Sequence, residues 1–264
     1  MTRILLVGCG KMGGALLAGW IEQGTDPRDI VVIEPAAPVA PLPGLRVVKA
    51  AADVPAGFQP EMVVLAVKPQ MMDQVLPSVA GHIGSVYLSI AAGRTIASLT
   101  KGLGGKASVV RAMPNTPAAI GRGISVAVAG PGVTEAQRKA CDASLSAAGA
   151  VEWVEDEGLI DAVTAVSGSG PAYVFLLAEA VTEAGIAVGL PPQLAEKLAR
   201  ATISGAGELL HRSTEPASAL REAVTSPKGT TFAALEVLRA EPGLMGLMKR
   251  AVAAAWTRSK ELAG

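Results

Sequence analysis

Residues 3–17 constrain the first half of this chain more than any other segment. The apolar run Arg3-Ile4-Leu5-Leu6-Val7 leads directly into Gly8-Cys9-Gly10-Lys11-Met12-Gly13, and Ala15-Leu16-Leu17-Ala18-Gly19-Trp20-Ile21 then has the character of a helix. A G-x-G-x-x-G loop between a buried strand and a helix is the setting in which that pattern is informative. Gly8 permits the tight turn, Gly10 lets a pyrophosphate approach the backbone, and Gly13 lets the helix pack close to the strand. The helix start adds unpaired N–H groups and a partial positive charge for the phosphates. Cys9, Lys11 and Met12 complete the loop and are assigned with it to cofactor binding. Beyond it no metal ligands stand at a usable spacing. The two histidines, His82 and His211, have no nucleophile or ligand partner in the pattern. The chemistry is therefore assigned to a nicotinamide cofactor, with no metal.

Composition narrows the rest. The formal net charge is zero and no block of like charge occurs, so a nucleic-acid partner has no electrostatic support. Two distant cysteines, Cys9 and Cys141, exclude a disulfide framework and point to a reducing, cytoplasmic setting. The apolar start is broken too early for a signal peptide, and no run reaches the ~18 apolar residues of a membrane span. A soluble protein without a membrane partner is expected. Half the residues are hydrophobic but only 3% are aromatic, as in chains whose helices pack closely through small side chains.

Up to about residue 150, β-branched runs alternate with helical patterns. Strands are predicted at residues 3–7, 30–34, 46–49, 62–67, 86–90, 108–112 and 125–129, with amphipathic helices at 70–80, 95–102 and 134–148. Such alternation predicts a parallel sheet with helices on both faces. After Trp153 no strand pattern recurs, and helical stretches are punctuated by Gly and Pro. The expected architecture is α/β: a dinucleotide-binding domain of Rossmann type over residues 1–158, then an all-helical domain over 159–264. Helices so rich in Ala and Gly are expected to pack on a second subunit or in a bland intrachain core.

Ligands of open α/β sheets bind at the carboxyl ends of the strands. Glu34 ends the second strand where such folds place an acid for the adenosine ribose, and no Lys or Arg follows until Arg46. A 2′-phosphate would meet a carboxylate there, a repulsion of about 1–2 kcal/mol, so NADH is favoured over NADPH. The alternative is that Glu34 merely faces solvent. Ala66-Val67-Lys68-Pro69 and Ser89-Ile90-Ala91-Ala92-Gly93 follow the fourth and fifth strands and offer small residues and backbone N–H groups. Lys68 either touches the cofactor or stands in solvent. In Arg111-Ala112-Met113-Pro114-Asn115-Thr116-Pro117 the prolines stiffen the loop, and Asn115 and Thr116 either orient the nicotinamide or cap the turn.

The glycine loop and the motifs at 66–69, 89–93 and 111–117 recur in one order with Ala-Val-Ser-Gly-Ser-Gly-Pro-Ala-Tyr at 165–173 and Ser-Pro-Lys-Gly-Thr-Thr at 226–231. In that order they resemble pyrroline-5-carboxylate reductases. The resemblance implies reduction of 1-pyrroline-5-carboxylate to L-proline by NADH or NADPH, and a helical domain that builds a homodimer, in cases assembled into decamers. It also implies that the segment matching 226–231 wraps the substrate carboxylate with N–H groups, which points to Ser226, Gly229, Thr230 and Thr231. Thr231 would offer its hydroxyl to the ring nitrogen, and Glu157 would lie near the same pocket. One position departs: Lys228 stands where the family usually has glycine. If that residue needs a positive φ, lysine costs on the order of 1 kcal/mol; otherwise Lys228 brings positive charge toward the carboxylate.

The residues themselves support part of this. The turn at 226–231 precedes a helical pattern, so its N–H groups form an anion site, although Ser and Thr there are also ordinary N-caps. A protonated imine is already electrophilic, and orientation supplies most of the rate. Another imine reductase or a β-hydroxyacid reductase of the same architecture is the alternative. The latter relies on a helix lysine after a glycine-rich break, and residues 172–184 contain none.

Overall fold

The strands form where β-branched and aliphatic side chains can be buried on both faces. Ile4–Val7 (β1), Ile30–Ile33 (β2), Arg46–Val48 (β3), Met62–Leu65 (β4), Val86–Ser89 (β5), Ser108–Met113 (β6), Gly123–Ala129 (β7) and Gly149–Trp153 (β8) make one sheet. Its order is β3-β2-β1-β4-β5-β6-β7-β8. β1, β2, β4 and β5 are buried at every position. The computed structural model describes residues 2–36 and 39–263.

Helices Lys11–Glu22 (α1), Met72–Val79 (α2), Ile96–Gly102 (α3) and Glu135–Ser146 (α4) cover the sheet. Successive strand side chains point to opposite faces, and the two cores divide accordingly. Ile4, Leu6, Ile30 and Val32 cluster with Leu16, Leu17 and Trp20 of α1 and Cys141 and Leu145 of α4. Leu5, Val7, Val31 and Ile33 cluster with Met72, Leu76 and Val79 of α2 and Ile96 and Leu99 of α3. The polar ends of the largest side chains are satisfied: Trp20 Nε1 donates to Ser144 O at 2.9 Å and Tyr87 Oη to Val79 O at 2.8 Å. Thr134 caps α4 reciprocally with Gln137.

Two features depart from an all-parallel sheet ending at β7. β7 runs antiparallel to β6, because residues 114–122 are too few for the crossover that a parallel pair needs. β8 pairs with β7 as an additional parallel edge strand. Its half-exposed Gly-Ala-Val-Glu-Trp sequence hides it, and its first residue is set by backbone contact. Gly149 has φ 140°, and a Cβ there would lie 2.0 Å from Gly123 O.

The helical part comprises Leu159–Val163 (α5), a π-helical turn at Thr164–Gly168, then Gly170–Ala187 (α6), Pro192–Arg212 (α7), Ala217–Ala223 (α8), Thr230–Arg239 (α9) and Leu244–Ala263 (α10). No strand follows β8 among the described residues. Two compact units result: Met1–Gly168 with Trp256–Gly264, and Ser169–Ala255. The division falls after Gly168, beyond the border expected at residue 158, and the last turns of α10 belong to the first unit. In the second unit small residues set the approach of α6 and α7: a Cβ on Gly185 would lie 3.2 Å from Ala195 Cβ. Leu159–Ala187 is long and apolar enough by composition to cross a membrane: an 18-residue stretch within it has mean hydropathy 1.3 and is 11% buried. The expectation of no such stretch counted only uninterrupted apolar runs; here Gly, Ser and Thr separate them.

Candidate active site

Three of the predicted turns start along one edge of the sheet, because β1, β4 and β5 are in register: Val7 pairs with Leu65 and Leu65 with Ser89. Backbone bonds continue that register into the turns, with Ala66 N–H donating to Val7 O at 2.8 Å and Ile90 N–H to Leu65 O at 3.1 Å. The loop at 8–13 and the turns at 66–69 and 89–93 are thereby brought together at the carboxyl ends of the strands, beside the point where the strand order reverses.

The glycines of the loop answer to different demands. Gly8 has φ 92°, and a Cβ on Gly13 would lie 2.3 Å from Gly8 O, so both are fixed by the protein's own packing. A Cβ on Gly10 would meet nothing within 4 Å. Gly10 is the N-cap of α1 and no side chain caps that helix. The open space and uncapped N–H groups at α1 fit a pyrophosphate. Lys68 is exposed at the same edge.

Glu34 leaves β2 toward this loop. Its Oε2 accepts from Cys9 N–H at 2.8 Å and its Oε1 from Ala36 N–H at 3.0 Å, so the carboxylate is held where an adenosine ribose is bound in dinucleotide folds. Burial and the Glu34 charge push the Cys9 thiol up from its ordinary pKa. Cys141, deep in the core, is pushed up to about 12 by burial. Both thiols are free. Asn115, one of the candidates for orienting the nicotinamide, accepts from Ile124 N–H at 2.9 Å and so fixes the turn into β7.

Glu157 lies in the first unit. Its Oε1 accepts from Arg111 Nη1 and from Ile96 N–H, each at 2.8 Å. Arg111 is 3% exposed. This pair was not foreseen, although an arginine inside the apolar strand β6 was the available signal: a guanidinium so buried requires an acid. Arg94, next to the turn at 89–93, is paired with Asp73 of α2.

The turn at 226–231 lies in the second unit. Gly229 is the N-cap of α9, and no side chain caps that helix. The Ser and Thr hydroxyls are therefore not spent on capping. Gly229 N–H donates to Ser226 O at 3.0 Å, and a Cβ on Gly229 would lie 2.4 Å from Ser226 Oγ. Lys228 has φ 58°, which is the left-handed case foreseen for that position. Ser226, Lys228 and Thr230 are exposed and Thr231 is half-buried. Among the described residues no group of three or more His, Cys, Asp or Glu side chains could hold a metal ion.

A Rossmann domain with an open glycine edge, joined to a helical domain, defines an NAD(P)H-dependent oxidoreductase. The family model for NADP oxidoreductases, coenzyme F420-dependent, matches residues 3–93, and that for pyrroline-5-carboxylate reductase dimerisation matches 157–262. The pyrroline-5-carboxylate reductase of Pseudomonas aeruginosa is 42% identical over 99% of this chain and 97% of its own length. That of Synechocystis is 41% identical over 97% of each. The solved structure of the Coxiella burnetii pyrroline-5-carboxylate reductase is 33% identical, with TM-score 0.90 over 100% of this chain and 99% of that one. The Plasmodium falciparum pyrroline carboxylate reductase, solved with NADP bound, is 26% identical, with TM-score 0.84 over 100% and 98%. The chain belongs to the pyrroline-5-carboxylate reductase family.

Proposed function

We propose that this chain reduces the C=N bond of 1-pyrroline-5-carboxylate to L-proline, the last step of proline biosynthesis, with NADH or NADPH. The observation that carries the substrate side of this reading is the uncapped start of α9, whose first two residues, Thr230 and Thr231, follow Ser226 in the same turn. Backbone N–H groups at the start of α9, those of Thr230 and Thr231, bind the substrate carboxylate, while Gly229 N–H closes the turn on Ser226 O, and the positive end of α9 adds to the attraction.

Gly8, Cys9, Gly10, Lys11, Met12 and Gly13, with Ala66, Val67, Lys68, Pro69, Ala91, Ala92 and Gly93 beside them, would hold a dinucleotide, which when bound would supply a hydride to the imine carbon. The electron pair of the C=N bond then moves to nitrogen, which keeps its proton as the ring amine. The Thr231 hydroxyl hydrogen-bonds that nitrogen, orients the ring and relays a proton from water when the imine arrives neutral. With pKa far above neutrality a threonine is a poor acid, so its contribution is geometric.

Glu34 favours NADH, since a 2′-phosphate would approach a carboxylate already fixed on Cys9 N–H. The chain associates with itself as a homodimer, with decamers as the higher assembly, and works in the cytoplasm without nucleic-acid or membrane partners. Imine-dependent oxidation of each cofactor by the purified protein tests the reading. Proline formed at a higher rate with NADH is expected. Turnover of a 3-hydroxyacid in place of the imine would support the β-hydroxyacid alternative.

A further inference from the structure

Glu157 has an anionic side chain, and an anion is a poor neighbour for a substrate that is itself a carboxylate. Its observed partners suggest a different task. Ser89 and Arg111 are cross-strand neighbours in register at the end of β5, and both are buried, at 0% and 3% exposure. The Arg111 guanidinium reaches from that position to Glu157 Oε1, which simultaneously accepts the N–H of Ile96, the first residue of α3. That N–H is one of those a helix leaves without an internal partner. Thr95 Oγ1 takes a second, from Ser98 at 3.1 Å.

These bonds close the far side of the turn that carries Ala91, Ala92 and Gly93. On the near side Ile90 N–H is fixed on Leu65 O. From above, Leu262 O of α10 lies 3.1 Å from where a Cβ on Gly93 would stand, and Gly93 has φ 67°. The segment from Ile90 to Ile96 is thus tied at both ends and covered in the middle. A shift at Ile96 must be taken up by the residues between.

We propose that the Arg111–Glu157 pair is a positioning device for the dinucleotide: it pins the start of α3 and thereby sets the shape of the turn at Ala91–Ala92–Gly93. Glu157 is then a positioning residue on the cofactor side, acting through Ile96 N–H, and not a ligand of the imine. This rests on the reading of that turn as a cofactor contact.

The test measures NADH binding by fluorescence in the absence of imine, together with kcat and KM for pyrroline-5-carboxylate. The variants are Glu157→Ala, which removes both bonds, and Glu157→Gln, which keeps an acceptor for Ile96 N–H and loses the charge. Loss of these charge-assisted bonds should weaken NADH binding roughly tenfold in Glu157→Ala, with a smaller loss in Glu157→Gln and an imine KM within about twofold of wild type. Glu157→Gln keeps the test intact if Glu157→Ala fails to fold. A lowered melting temperature with unchanged NADH affinity would mean a structural role only and overturn the proposal. A raised imine KM with unchanged NADH affinity would place Glu157 on the substrate side and also overturn it. Failure of the wild-type protein to bind NADH would remove the cofactor reading itself, which is a different result from either.

Discussion

The two compact units treat their apolar side chains in opposite ways. In the first, strands buried at every position are covered on both faces by helices of the same chain. In the second, α6 has no buried residue and α7 buries only Ala195 and Ala199. Phe175, Leu176 and Leu209 are each more than 60% exposed. An apolar surface of that extent marks an interaction site, and the dimerisation match over residues 157–262 supports self-association. The first unit is stabilised by its own core. The second leaves most of its apolar side chains exposed, and it carries the turn at 226–231.

The sharpest way to break that contrast is to truncate each unit's apolar side chains. Leu88→Ala, in a fully buried site of β5, should cost about 2–5 kcal/mol and lower the melting temperature equally at all protein concentrations. Phe175→Asp should leave the sheet domain folded and shift sedimentation from oligomer to monomer. A Phe175→Asp protein that still sediments as the wild type would show that the exposed face is not the interface.

Catalytic predictions sharpen the division of labour. Thr231→Ala should lower kcat by roughly 10- to 100-fold through loss of the hydrogen bond to nitrogen, while NADH affinity, a property of the first unit, stays near wild type. Near-normal turnover would remove Thr231 from the reaction. A smaller effect is expected on the other side: Glu34→Ser should change the NADPH-to-NADH ratio of kcat/KM roughly tenfold in favour of NADPH, equivalent to relief of ~1–2 kcal/mol of repulsion. An unchanged ratio would mean that the carboxylate serves only the loop at Cys9. The smallest effect belongs to Lys228→Gly, which relieves a left-handed lysine and should raise stability by about 1 kcal/mol, seen as a higher melting temperature.

Much of the first unit was legible because its signals are local. β1, the glycine loop and α1 follow one another without interruption, and continuous apolar runs such as Met62-Val63-Val64-Leu65 have few alternatives to a doubly covered strand. β8 was not legible, since a half-exposed edge strand mixes Glu152 with Val151 and Trp153. The antiparallel course of β7 depends on the length of a connection rather than on the strand's own residues. The bonds of Glu34 to Cys9 and of Glu157 to Arg111 join residues distant in sequence. Lys228 shows the reverse: the motif marked its position as unusual, and the left-handed backbone gives the physical reason. The return of Trp256–Gly264 to the first unit has no local signature at all.

The most direct test of the central claim uses NADH carrying deuterium at the transferable position, with pyrroline-5-carboxylate and the purified protein, and proline analysed by mass spectrometry and NMR. The account predicts one deuterium per proline, on the ring carbon bonded to nitrogen and remote from the carboxylate. Unlabelled proline, label at another carbon, or no imine-dependent oxidation of NADH or NADPH would contradict it.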